Sequence, residues 1–103
     1  MKVLMAGLLA FVLLGGCRLQ EAYTPPEADG LVGLRAYPNE GDVCEVLGES
    51  PETLAYLDHT ALLIGCPWHE RGAIRDRQRE GAEIVDRVGA WVLLSLPIEG
   101  AGL

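Results

Sequence analysis

Four residues with metal and redox chemistry fall between positions 44 and 69: Cys44, His59, Cys66 and His69. Cys66-Pro67-Trp68-His69 sets a thiolate donor and an imidazole three positions apart, a chelating separation for a metal such as zinc. Cys44 and His59 would complete a Cys₂His₂ set, although the closely spaced cysteine pair of most structural zinc sites is absent. A metal-binding or enzymatic centre on His59, Cys66 and His69 is therefore one candidate reading.

The other chemistry-bearing residues have simpler explanations. The Cys-Pro-Trp-His run superficially resembles a thioredoxin-type redox turn, but it lacks the second cysteine that resolves a mixed disulfide. Asp58-His59 pairs an acid with a base, yet the hydroxyls of Ser50 and Ser95 are poor nucleophile candidates: Ser50 reads as a helix cap, and Ser95 falls in the middle of a strand pattern. No Gly-x-Ser-x-Gly elbow is present. Glu49, Glu52 and Asp58 read as a solvated face, because a glycosidase pair must flank a cleft that a domain this small rarely forms. Arg71, Arg75 and Arg79 are spaced by four, so a helix would align them to grip an anionic group; Arg77 lies among them, and Asp76 is placed to pair with Arg79. Trp68 and Trp91 read as core or rim, with indole N–H groups that need partners. No catalytic residue, cofactor or metal set is assigned from the sequence.

The elements that must position these residues follow from punctuation. Val43–Leu47 reads as a strand. Ser50-Pro51-Glu52 has a cap hydroxyl, proline at the first helical position and an acid in the first turn, which predicts about two helical turns to Asp58 with Leu54 and Leu57 facing one way. Thr60–Cys66 is a continuous apolar run stopped by Pro67, as expected of a strand buried on both faces. His69–Glu80 reads as a polar helix with Gly81 as its C′ residue. Residues 81–88 fit one helical face by periodicity as well as a strand. Gly81 as a C′ residue and the Ile84-Val85 pair favour a strand over 83–88, and residues 91–96 read as a strand after a turn at Gly89-Ala90. Leu31–Tyr37 fits either an edge strand or tether. The expectation is α+β: a sheet of about four strands, two short helices and one disulfide.

The amino terminus has a different character. Lys2 precedes an uncharged apolar run from Val3 to Gly16, too short at ~1.5 Å per residue to span a ~30 Å hydrocarbon core as a helix. The run ends Leu14-Gly15-Gly16-Cys17. This segment resembles the lipobox signal peptide of bacterial lipoprotein precursors. The resemblance covers residues 1–17. It implies lipidation of the Cys17 sulfur, cleavage after Gly16 and acylation of the new amino terminus. Leu63-Ile64-Gly65-Cys66 has the same four-letter outline, but only the first copy follows a basic start and an apolar run. Two or more acyl chains anchor a protein stably. Arg18 stands where the enteric version of the family uses aspartate for inner-membrane retention, which implies the periplasmic face of an outer membrane.

With Cys17 taken by lipid, Cys44 and Cys66 remain, in a compartment that is oxidising. A core of this size is marginal, so small exported domains are commonly stapled. A Cys44–Cys66 disulfide is expected to contribute about 3.4 kcal/mol in the chain-entropy model.

The chain of 103 residues thus divides into a signal peptide (1–16), a lipidated flexible tether (17–30), a small α+β domain (31–98) and a tail (99–103). Its formal charge of −7 argues against nucleic-acid binding. From Leu19 to Asp58 there are nine acids and one arginine, whereas from His69 to Arg87 there are five of each. The acidic half should repel anionic headgroups and favour a domain held away from the bilayer. The reading is an envelope lipoprotein, held to the membrane through Cys17, with an accessory, binding or structural domain that is not an enzyme. Alternatives are the metal or enzymatic centre above, or an envelope-assembly subunit or hydrolase inhibitor with a protein partner.

Overall fold

The computed structural model describes residues 23–98; Cys17 and the predicted signal peptide lie outside them. Among the described residues the fold is α+β: one antiparallel five-stranded sheet, one α-helix and one disulfide. The strands are β1 (Gly33–Tyr37), β2 (Cys44–Leu47), β3 (Ala61–Pro67), β4 (Glu83–Val88) and β5 (Trp91–Pro97), in the order β1-β2-β3-β5-β4. Helix α1 (Arg71–Arg79) crosses from β3 to β4, and β5 inserts between those two strands. The result is a split β-α-β unit extended by the β1–β2 hairpin.

Strand alternation sorts the core onto two faces. Leu31, Leu47, Leu63, Trp91 and Leu93 pack on one face with Tyr56 and Val85 against them. Cys44, Ile64, Cys66, Ala82 and Leu94 pack on the other, beneath Ala73 and Ile74 of α1. Residues from both clusters alternate along β3 and β5. This explains why those strands read as unbroken apolar runs and not as alternating ones.

The helix ends as its sequence predicts. Gly81 has φ +109°, its N–H bonds to the Gln78 carbonyl, and the Ala82 N–H bonds to Arg77. This is a Schellman motif, which needs a left-handed residue at C′.

Three expectations change. The strand count is five because Leu31–Tyr37 contributes an edge strand; a bulge between Gly33 and Arg35 interrupts its side-chain alternation and hides it from pattern reading. The predicted helix after Ser50 is a pair of linked turns. The chain does turn at Ser50, but the hydroxyl that bonds backbone there is not the predicted cap hydroxyl of Ser50; it is that of Thr53, which accepts from the Ser50 N–H. The same hydroxyl donates to the Gly48 carbonyl, tying the turn back on itself instead of propagating it. Thr53 and Tyr56 therefore face inward, whereas Leu54 is 58 % exposed.

The third change concerns the expected tether. Residues 26–29 form a 3₁₀ turn with Pro26 buried. The Asp29 carboxylate accepts from the Ala90 N–H, and the Thr24 carbonyl accepts from the Trp91 indole N–H, each at 3.0 Å. Gly89, at φ +57°, leaves the space for the Asp29 carboxylate that a Cβ would fill. Packed structure thus includes the residues from Tyr23 onward, and five residues lie between Tyr23 and Cys17 in the sequence.

Candidate functional site

Cys44 and Cys66 form the disulfide, with Cα atoms 4.2 Å apart and both residues fully buried. Register explains the pairing. Glu45 pairs with Gly65 and Val46 with Ile64, so continuing the ladder places Cys44 directly opposite Cys66. The bond extends a ladder that the four residues of β2 keep short. It also places Cys66 of the second lipobox-like run inside buried β3.

The proposed metal or enzymatic residues do not converge. Cys66 is committed to the disulfide. His59 precedes β3 and His69 follows it, and a strand of seven residues separates its ends by about 20 Å. The His59 side chain is 97 % exposed. Its predicted place at a helix terminus is replaced by a turn in which Asp58 accepts from both the Thr60 N–H and hydroxyl. Those bonds hold the Asp58 carboxyl below its ordinary range. Ser50 bonds within its turn to Thr53, and Ser95 lies within β5. Among the described residues no group of three or more His, Cys, Asp or Glu is arranged to hold a metal ion.

The arginines separate by role. Arg71, Arg75 and Arg79 are exposed on α1, and Arg79 pairs with Asp76 at 3.4 Å. Arg77 is 7 % exposed; its guanidinium bonds Glu80 in a bidentate fashion at 3.0 and 2.6 Å. It also lies 5.3 Å from the centre of the Tyr37 ring, between the helix and the edge strand. Spacing by four identified the exposed row, but only packing distinguishes Arg77 as structural.

The tryptophans also divide. Trp91 is fully buried, whereas Trp68 is 44 % exposed with the Arg87 guanidinium 5.2 Å from its ring centre. His69 meets the Trp68 ring edge-on at 6.0 Å. Backbone bonding of the Trp68 N–H to the Ala90 carbonyl fixes this group at the β4–β5 turn.

A polar link missed in the sequence joins the two halves of the domain. The Tyr56 hydroxyl donates to Asp86 at 2.6 Å across a separation of 30 residues. That bond and the Arg87 N–H hold the Asp86 carboxyl below its usual range, while Tyr56 is raised by holding its proton against the carboxylate. Because Asp86 is depressed on folding, its contribution is present above the ordinary carboxylate range and is lost as pH falls through the folded value. Tyr56→Phe should therefore destabilise the domain most near neutral pH, with the gap from the parent closing between about pH 5 and pH 2. Urea unfolding across that window checks this; a gap independent of pH contradicts it.

Comparison of the chain with protein-family models, curated proteins and solved structures returns no match. Among the described residues no helix is long and apolar enough to cross a membrane.

Proposed function

We propose that the protein is a lipid-anchored envelope lipoprotein whose disulfide-stapled domain serves a binding or structural role at the membrane. The observation that carries this reading is the Leu14-Gly15-Gly16-Cys17 run at the end of a basic and apolar leader. The Cys44–Cys66 disulfide supports it, since such bonds persist in oxidising compartments, and it leaves Cys17 as the thiol available for lipid. Cys17 becomes the first residue of the processed chain, and its acyl chains hold the domain at ~0.8 kcal/mol per buried CH₂. Processing also removes Lys2, leaving 7 arginines against 15 acids.

Cys17→Ser is the direct test. The parent is expected in the membrane fraction and released by detergent but not by salt. The variant is expected to remain unprocessed, with the leader retained and no acyl mass. Equal processing and equal detergent-dependent release of both proteins would overturn the reading.

A further inference from the structure

We infer that the end of the sheet around Trp91 is a docking surface for anionic lipid headgroups. This inference rests on the lipoprotein reading and specifies how the domain sits on its membrane. It begins with a charge division that only the strand register reveals.

Glu45 pairs with Gly65, Gly65 with Leu93, and Leu93 with Asp86; Glu83 pairs with Ser95 on the same face. Glu27 and Asp29 lie in the N-terminal segment packed over that face. Glu49, Glu52 and Asp58 lie in the connection that places Tyr56 there. On the opposite face, Arg35 pairs with Val46, and Arg87 with Val92, beside the α1 arginines. Acids on the helix side are Glu70, Asp76 and Glu80; Asp76 and Glu80 are paired to Arg79 and Arg77, and Glu70 lies 3.8 Å from His69. Arg71 and Arg75 are exposed and carry no ion pair among the described residues.

The Trp91 end combines three features of an interfacial surface. Trp68, 44 % exposed, flanks this end on the arginine side; Tyr23, 59 % exposed and in T-shaped contact with Trp91 at 6.3 Å, flanks it on the acidic side, where its hydroxyl donates to Glu45 at 3.4 Å. Exposed tryptophan and tyrosine suit a boundary that is apolar on one side and wet on the other. Arg87 stands against Trp68, and Arg71 begins the helix three residues after it, with Arg75 one turn further on. Tyr23, the described residue nearest Cys17 in sequence, lies at this end too, and the six Cα-to-Cα steps between the two reach at most ~20 Å. A short connection brings the domain to the headgroups. Its charge division then favours tipping the arginine side toward them and the acidic face away. Glu40 and Asp42 occupy the β1–β2 turn at the same end, toward the β1 edge of the sheet, whereas Arg87 lies on β4 at the opposite edge.

The test uses the full acylated protein in vesicles with a brominated-lipid quencher, comparing phosphatidylglycerol-containing with pure phosphatidylcholine membranes. Trp68→Phe separates its emission from that of buried Trp91. Trp68 emission is expected to be quenched in anionic vesicles and recovered in neutral ones. Arg71→Gln with Arg75→Gln should lower the docked-to-undocked ratio about 25-fold, at about fivefold per arginine. Unchanged near-ultraviolet circular dichroism controls for folding. Trp68 emission insensitive to lipid charge, in protein whose intact mass carries the acyl chains, overturns the docking surface and leaves the lipoprotein reading standing. A preparation without acyl mass overturns both.

Discussion

Replacing Trp91 with alanine is expected to lower the unfolding free energy by about 4 kcal/mol, within the range of buried aromatic truncations. Trp91 is fully buried, packs with Leu31, Leu47, Leu63 and Leu93, and pairs with both Pro67 and Val88 across the sheet. Its indole N–H also holds the Thr24 carbonyl, and its ring receives the edge of Tyr23. Truncation thus opens a cavity and releases the N-terminal segment from the sheet. Trp91→Phe keeps most of the volume and loses the N–H, so it should cost about 1–2 kcal/mol. Chemical unfolding gives both values. Near-equal losses for Ala and Phe would show that the Thr24 bond, and not packing, dominates this position.

Removing the Cys44–Cys66 bond is the second large effect. The cross-link spans 22 positions and joins the short β2–β3 ladder, so its loss restores freedom to the unfolded chain and leaves β2 with little hydrogen bonding to β3. Cys44→Ala with Cys66→Ala should cost about 3 kcal/mol, a large share of the stability of a domain this small. The midpoint of thermal unfolding is expected to fall by about 12–24 °C. A reductant should move the parent toward the same midpoint and leave the double variant where it is. Two midpoints within about 4 °C of each other would contradict the stapling role.

Local signals survived folding where local chemistry decides the outcome. Gly81 is the helix C′ residue because the chain needs positive φ there, and Pro67 ends β3 as its sequence position suggests. The continuous apolar runs of β3 and β5 reflect two-sided burial, a property that composition carries directly. Residues 83–88 were ambiguous by periodicity, but their β-branched Ile84-Val85 pair and the glycine before them indicated the strand. The phase of the 50–58 turn was not legible. One hydroxyl, Thr53, bonds to both Gly48 and Ser50, and inward placement of Thr53 and Tyr56 leaves Leu54 outside.

Long-range pairing limited the reading elsewhere. Tyr23–Gly30 has the prolines and charges of a tether, yet Asp29 and Thr24 find partners more than sixty positions away. Trp68 and Trp91 flank the same sheet end, but only the fold assigns one to solvent and the other to the core. The linear concentration of acids before position 58 was visible. Its conversion into an acidic face opposite an arginine face depends on the registers of β1, β2, β4 and β5. Separation of His59 from His69 likewise follows from the length of β3, whereas their nearness in sequence made them a candidate pair.

Intact mass spectrometry of the protein purified from the membranes of its native host is the most direct test of the anchoring claim. The expected species begins at Cys17, carries a diacylglyceryl group and an amide-linked acyl chain, and gains two hydrogens on reduction as Cys44 and Cys66 separate. A species that retains Met1–Gly16, or one whose Cys17 carries a free thiol and no fatty chain, would contradict it.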